Sequence, residues 1–528
     1  MRSRPGSSPP SLPARLARPA AAVTAVLILL ALAHLATFDA RLHINGDNVA
    51  YIRLAQDIRH GQSWWPPSRF PPGLPWLLLP VQLVSGVALV PQKLLVTLCG
   101  LLAAFCGARA AVRRWGTGSG AVMAILGFSL VPVIEYSHYV LSEIPYLACL
   151  AALVWWLDGR VVRQDRPGET RTGVIAALLA AAAFWIRSTG LAVLLVVPLV
   201  LLARGRRRAA LWSAGTAGVL LLPYIVRTLS GGGGRSYLRQ FFLVNPYHPH
   251  FGTVSLSDLA TRVAVNFKEY AFLEIPNLVW PVHFRSTYTE ALELGRHLPV
   301  PAIAAILLLF GLGLFRALRR RAVWGWLTAA SLGAVLLWPP VWSSSRFLLP
   351  VAPFLMWAFL LGAHRFGRWI LGRRAVWSAG LVAAVVGVLA VVNLAKLEAQ
   401  NDAYPPAWAG YFRAARWARE NTPSNILIID RKPGLFGFVS RRRCEGFPRE
   451  PDGLALIRDL QRRGADLVVL SRIPFDDITR YLLPAIGEHP EWFEVIYQDA
   501  VKAPGETYLF HLLREPRSVP EGLTPPEP

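Results

Sequence analysis

Residues Ala20 to Phe38 read AAAVTAVLILLALAHLATF, an apolar run without a single Asp, Glu, Lys or Arg. A helix rises about 1.5 Å per residue, so this stretch reaches roughly 30 Å, the thickness of a bilayer's hydrocarbon core. Arg15 and Arg18 precede it, and Ala33 to Ala36 bring small residues near its end, a pattern that a secretory signal peptide shares. An uncleaved first span is the better reading, because more such runs follow and the polar segment after it carries candidate functional residues.

Working outward, further apolar runs cover Val90–Val112, Gly120–Pro132, Tyr139–Leu157, Gly173–Ile186, Leu191–Ala203 and Leu211–Val226. After a long polar interval come Val300–Phe315, Val323–Pro339, Phe347–Gly362 and Val376–Leu394. The expectation is a polytopic α-helical membrane protein with about 11 transmembrane helices. Leu74–Val84 is short and Pro-flanked, and reads as a re-entrant or interfacial helix. Bulk composition agrees: only 16% of the 528 residues are charged, against about a quarter in soluble domains.

The formal charge is +23, from 55 Lys+Arg against 32 Asp+Glu. Nucleic acid is not the expected partner, because the arginines sit in short loops between apolar runs and no basic, aromatic-rich soluble module is present. Arg113-Arg114, Arg160–Arg171, Arg204–Arg208, Arg316–Arg321 and Arg365–Arg374 alternate as one cytoplasmic side requires. With an odd number of spans across the cytoplasmic membrane, the N-terminus lies on the cytoplasmic side and the C-terminal part outside. Residues 1–19 are then a disordered cytoplasmic tail, 20–396 the membrane domain with outer loops 39–73 and 230–299, and 397–528 an extracytoplasmic domain.

That last segment changes character. Pro406–Asn421 has amphipathic helical patterning, and Asp452–Arg463 is a second helix. Asn425–Asp430, Leu467–Ser471, Phe493–Gln498 and Thr507–Leu512 read as strands, so a small α/β sandwich with a partly parallel sheet is expected. Pro433-Gly434 and Gly437 are isolated turn signals rather than a nucleotide-binding fingerprint. Cys99, Cys106 and Cys149 fall in apolar runs and Cys444 stands alone in the soluble part, so no disulfide framework can be read.

The first outer segment contains Asn45-Gly46-Asp47-Asn48-Val49-Ala50-Tyr51. Asn45 or Asp47 can cap a helix that starts near Asn48, with Ile52, Ala55 and Ile58 on its greasy face. The alternative for Asp47 is a carboxylate held at the membrane boundary as a general base or metal ligand. Arg69 follows within the stiff Trp64-Trp65-Pro66-Pro67-Ser68-Arg69-Phe70-Pro71-Pro72-Gly73 stretch, where a guanidinium either clamps a phosphate or snorkels beside lipid headgroups. In Glu135-Tyr136-Ser137-His138-Tyr139-Val140-Leu141-Ser142-Glu143, Glu143 is placed about one turn into a span. An ionised carboxylate there is costly, hence functional or paired, and Arg187 is the expected partner. Arg346 is another cation at the outer end of a span. His248, His250 and His283, with Glu269 and Glu274, match no standard metal spacing, and no Gly-x-Ser-x-Gly, His-Glu-x-x-His or Walker sequence occurs.

Together these pieces resemble the GT-C superfamily of polyprenyl-phosphate-dependent glycosyltransferases, and within it the protein O-mannosyltransferases and the lipid A aminoarabinose transferases. The residues that carry the resemblance are Gly46-Asp47-Asn48 with Tyr51, Ala55 and Gly61; Phe70-Pro71-Pro72-Gly73-Leu74-Pro75; Leu141-Ser142-Glu143; and Ser345-Arg346-Phe347-Leu348-Leu349-Pro350. It departs from many relatives at Asn48, where a second acidic residue often stands, so a two-carboxylate metal site in this loop is not supported. The resemblance implies transfer of a sugar from a polyprenyl-phosphate donor to a glycan, lipid or protein acceptor, with inversion, at the outer face of the membrane. Asp47 would be the catalytic base and Glu143 a catalytic orienting carboxylate. Arg69, Arg346, Tyr51, Arg187 and His138 would bind the lipid phosphate or substrate. No cofactor is required by this scheme, and a divalent metal stays open. Two other readings are a flippase for a lipid-linked glycan and a non-catalytic envelope scaffold. The flippase predicts ionisable groups near the midplane and inverted repeats, neither of which the sequence offers.

Overall fold

The computed structural model describes residues 12–65, 68, 70–161, 168–230, 240–280, 298–342, 344–372, 375–401, 403–499 and 506–517. Two compact units emerge from its contacts. One holds the described residues up to Ala40 and those between Tyr51 and Ala399; the other holds Arg41–Ala50 and the described residues from Gln400 onward.

Helices come in chain order as α1 (Leu12–Ala36), α2 (Gly46–Arg59), α3 (Gly73–Ser85), α4 (Leu89–Trp115), α5 (Thr117–Phe128), α6 (Val131–Tyr136) and α7 (Glu143–Val161). Next are α8 (Glu169–Ile186), α9 (Gly190–Ala203), α10 (Arg207–Leu229), α11 (Leu256–Glu269) and α12 (Ile275–Val279). The first unit closes with α13 (Val300–Arg319), α14 (Val323–Leu336), α15 (Ala352–Leu371) and α16 (Ala375–Gln400). Every apolar run expected from the sequence contributes to one or more of these helices. Among the described residues, seven helices are long and apolar enough to cross a membrane, and α3, α5, α9 and α14 are shorter apolar helices. The protein is a multi-pass membrane protein.

Beyond shifted helix ends, three boundaries differ from the expected runs and leave non-helical backbone inside the expected stretch. The run expected to end at Pro132 stops at Phe128, because Pro132 starts the separate helix α6. The run expected from Tyr139 becomes helical only at Glu143, after a stretch of turns. The run expected from Phe347 passes through short 3-10 turns at Ser345–Phe347 and Leu349–Val351 before α15 begins. Pro350 lacks the N–H a continuous helix would use. Irregular backbone at membrane depth is tolerated only where protein buries it or a cavity meets it.

Small residues let the helices approach. A Cβ added at Gly313 of α13 would collide with the Ala358 carbonyl of α15, and one at Gly362 would collide with the Leu309 carbonyl. Such backbone-to-backbone contact is how apolar helices pack where lipid competes equally for their side chains. The basic segments gather at one end of the bundle. Arg114 pairs with Asp158 at 3.1 Å, Arg204 lies 3.9 Å from Asp158, and the Arg204 guanidinium donates to the Arg321 carbonyl. Asp158 is near the end of α7 and Glu143 is its first residue, so the two ends of this helix are roughly 22 Å apart.

The second unit contains α17 (Pro406–Asn421), β1 (Leu427–Ile429), α18 (Pro433–Ser440), β2 (Arg443–Glu445), α19 (Gly453–Arg462), β3 (Leu467–Ser471), α20 (Leu483–Glu488), β4 (Phe493–Gln498) and β5 (Thr507–Leu512). The sheet order is β2-β1-β3-β5-β4, with β1 parallel to both β2 and β3, and β5 antiparallel to β3 and β4. The expected partly parallel sheet is present, with β2 as an additional edge strand. Pro433-Gly434 and Gly437 belong to helix α18 rather than to turns: Pro433 is tolerated in the first turn of a helix, where its missing N–H has no partner to lose. Asp452 caps α19 by accepting from the amides of Leu454 and Ala455, and Leu456, Ile457 and Leu460 bury one face of that helix against Val468 and Phe510 of the sheet. Each such side chain contributes roughly 1.5–3 kcal/mol of burial.

Candidate functional site

Two of the three breaks in helical structure, before α7 and before α15, meet at Glu143. Its side chain is fully buried at the first turn of α7. One carboxylate oxygen, Oε1, takes both Arg187 Nη1 at 2.9 Å and Arg346 Nε. Arg187 sits where α8 has ended and the backbone has turned extended, and Arg346 lies in the 3-10 turn before α15. Two guanidiniums thus share one carboxylate oxygen, and the charges of Glu135 and Glu274 act on the same surroundings. The other oxygen, Oε2, is buried and has no hydrogen-bond partner among the described residues.

The neighbours are ordered around this pair. Arg187 Nη1 also donates to Ser142 Oγ at 2.9 Å, and its guanidinium lies 5.0 Å from the Phe347 ring centroid. Tyr51 of α2 donates from its hydroxyl to the same Ser142 Oγ at 3.2 Å and packs against Phe70, ring centroids 4.7 Å apart. Tyr270 braces the Arg346 turn: its hydroxyl accepts from the Ser344 amide at 3.3 Å and faces the Ser344 carbonyl at 3.4 Å. Tyr136, at the end of α6, feels the charges of Arg346, Glu135, Glu143 and Glu274. Asn266 of α11 donates to the Leu336 carbonyl at 2.9 Å and the Trp338 carbonyl at 2.7 Å, which satisfies the end of α14 leading to this turn.

Of the residues singled out in the sequence, the structure brings together Tyr51, Glu143, Arg187 and Arg346. Glu143 is the first residue of its helix rather than one turn inside it. Arg69 lies outside the described residues, as does His283. His138 belongs to a different buried group: its Nε2 is 3.1 Å from His34 Nδ1, its ring lies edge-on to Phe38, and Lys93 nearby donates to the Asp39 carbonyl at 2.7 Å. Tyr136 and Tyr270 were not foreseen. Tyr136 lies within the Glu135–Glu143 stretch that the sequence singles out, whereas nothing in the sequence ties Tyr270 to Ser344.

Asp47 is a half-buried residue in the first turn of α2. Asn45, not Asp47, takes the capping role: its Oδ1 accepts the Asp47 amide at 2.9 Å. The Asn48 amide group donates to the Asn45 carbonyl at 3.0 Å, so this position supplies a turn contact and no second carboxylate. Among the described residues no group of three or more His, Cys, Asp or Glu side chains could hold a metal ion.

No family model and no curated protein matches the chain. Solved structures do. The structure of ArnT from Cupriavidus metallidurans bound to undecaprenyl phosphate superposes with a TM-score of 0.59 at 14% identity, covering 92% of this chain and 97% of that one. The archaeal oligosaccharyltransferase AglB from Archaeoglobus fulgidus, in complex with an inhibitory peptide and a dolichol-phosphate, gives 0.52 at 13% identity, covering 85% of this chain and 69% of that one. The chain has a GT-C fold. At such low identity the likeness is one of architecture: a GT-C helical membrane body followed by a C-terminal soluble region, as in ArnT over nearly its whole length.

Proposed function

We propose that this protein is a membrane glycosyltransferase that moves a sugar from a polyprenyl-phosphate donor to an acceptor at the outer side of the cytoplasmic membrane. The observation that carries the reading is the buried Glu143 carboxylate held between Arg187 and Arg346 at one end of a GT-C-type bundle. A leaving polyprenyl phosphate needs fixed positive charge, and the Arg187 and Arg346 guanidiniums are the candidates to supply it. A lipid-linked donor also explains why the chemistry is housed in a membrane body, and why no nucleotide-binding loop is needed. The arginine-rich end opposite Glu143 supports an orientation with Glu143 facing outward.

The reaction balances with the chain's own groups. An acceptor hydroxyl oxygen bonds to the anomeric carbon as the bond from that carbon to the phosphate oxygen breaks. Asp47 takes the hydroxyl proton, and the electron pair leaves on the phosphate, where Arg346, with Arg69, meets the new charge. Arg187 and Glu143 position Arg346, with Glu143 the orienting carboxylate of the site. Tyr51 holds Ser142 in register with Arg187. His138 supports the loop before Glu143.

The test is transfer by the purified full-length chain, with a radiolabelled polyprenyl-phosphate sugar and envelope extracts as acceptor source. A covalent product from wild type that Arg346→Ala fails to make supports the reading. Movement of the lipid-linked sugar across proteoliposomes without any covalent product would replace it with the flippase reading. Comparing envelope glycans with and without the protein identifies sugar and acceptor.

A further inference from the structure

The end of the bundle opposite Glu143 contains a cavity of about 930 Å³. Arg114, Arg316, Arg320, Arg365 and Arg368 line it. Arg114 is neutralised by Asp158. The other four make no salt bridge among the described residues, and Arg320, Arg365 and Arg368 all lie close enough to Arg316 to repel its charge. Four guanidiniums without a salt-bridge partner among the described residues thus border one hollow, and an anion bound there would meet all of them.

The walls limit which anion fits. Leu308, Leu312 and Leu361 line the same cavity one to two turns further along α13 and α15. Those helices are locked together by the Gly313 and Gly362 contacts, so the hollow is framed by a rigid pair. Trp115 and Trp324 add aromatic wall, and Trp369 at the rim is 82% exposed, as a ring seated at headgroup level would be. Free phosphate would gain from the arginines and nothing from the leucines. An amphiphile gains from both.

We propose that this cavity binds the headgroup of an anionic phospholipid, with the acyl chain laid along Leu308, Leu312 and Leu361. Basic pockets between membrane helices bind such headgroups by this combination of charge and apolar wall. The site lies at the far end of α7 from Glu143 and does not depend on the glycosyltransferase reading.

The experiment titrates delipidated full-length protein in neutral detergent with phosphatidylglycerol, phosphatidylcholine or inorganic phosphate, and counts retained molecules by native mass spectrometry. Wild type should retain phosphatidylglycerol in preference to phosphatidylcholine, and this arm needs no variant. Arg365→Gln with Arg368→Gln should weaken phosphatidylglycerol binding about thirtyfold, each arginine supplying roughly a fivefold factor. Leu312→Trp fills the hollow with every arginine in place and should lose the adduct as well. No preference in wild type, wild-type binding by the double variant, an adduct retained by Leu312→Trp, or displacement of the lipid by equimolar phosphate each overturns the proposal.

Discussion

Glu143 and Arg346 meet in a buried ion pair across 203 residues of sequence, and Arg187 closes on the same carboxylate oxygen. Removing one member of such a buried group leaves charge without compensation, at a cost of roughly 3–5 kcal/mol. Glu143→Ala should therefore lower the melting temperature in detergent as well as abolish transfer, whereas Glu143→Gln, which keeps an acceptor oxygen, should fold better and still lose activity. An unchanged melting temperature for Glu143→Ala would contradict the buried pair.

Arg346→Lys keeps a positive charge but loses the planar fork that meets both Glu143 and a phosphate. Transfer should fall by about a hundredfold or more, the scale of losing one fixed charge-stabilising donor. If Arg346 meets the leaving phosphate, the loss appears in kcat for the polyprenyl donor; a change in KM alone would assign Arg346 to ground-state binding.

Asp47→Asn should abolish turnover and keep the start of α2, because the Asn45 cap is made to the Asp47 backbone amide, which the substitution retains. The paired readouts are product formation and the circular-dichroism melt. Full activity in this variant would remove Asp47 from the base role.

His138→Leu separates structure from chemistry. Its ring is hydrogen-bonded to His34 inside the helix body, so the substitution should cost about 1–3 kcal/mol by leaving a buried nitrogen unpaired. Turnover at saturating donor should change far less than in Arg346→Lys. A loss confined to kcat, with stability unaltered, would put His138 in the reaction.

The α/β unit carries its own pH signature. Asp430 follows β1, fully buried, accepting from the Tyr411 hydroxyl and the Lys432 amide, and burial pushes its pKa up from 3.8 to about 6. A raised carboxyl pKa means that the folded unit holds this proton more tightly than the unfolded chain. The contribution to stability is complete below about pH 4 and is lost as pH rises through 6. Acidifying from pH 7 to 5 should stabilise α17 and α18 by roughly 1 kcal/mol, read as slower amide exchange after intrinsic-rate correction. Asp430→Asn should flatten that difference; an equal difference in the variant would assign it to other groups.

The helical membrane body and the mixed sheet were legible because both rest on local signals. A run such as Ala20–Phe38 declares itself by length and polarity, and Leu467–Ser471 by β-branched residues between turns. Helix starts were less legible. Ser142, Arg187 and Pro350 end or delay helices through contacts and backbone that only the folded chain supplies, and Pro433 opens a helix where its neighbours suggested a turn.

By itself the sequence determined that this chain is a helical membrane protein with a C-terminal α/β region, and it put Tyr51, Glu143, Arg187 and Arg346 under suspicion as separate polar residues at apolar boundaries. Only the tertiary structure decided that these four join through Ser142 into one group, that His138 leaves it for His34, and that arginines from α13 and α15 face one cavity. The reason is physical. Burying apolar length depends on each segment alone, whereas compensating a buried charge depends on which distant segments the packing brings within about 3 Å of it.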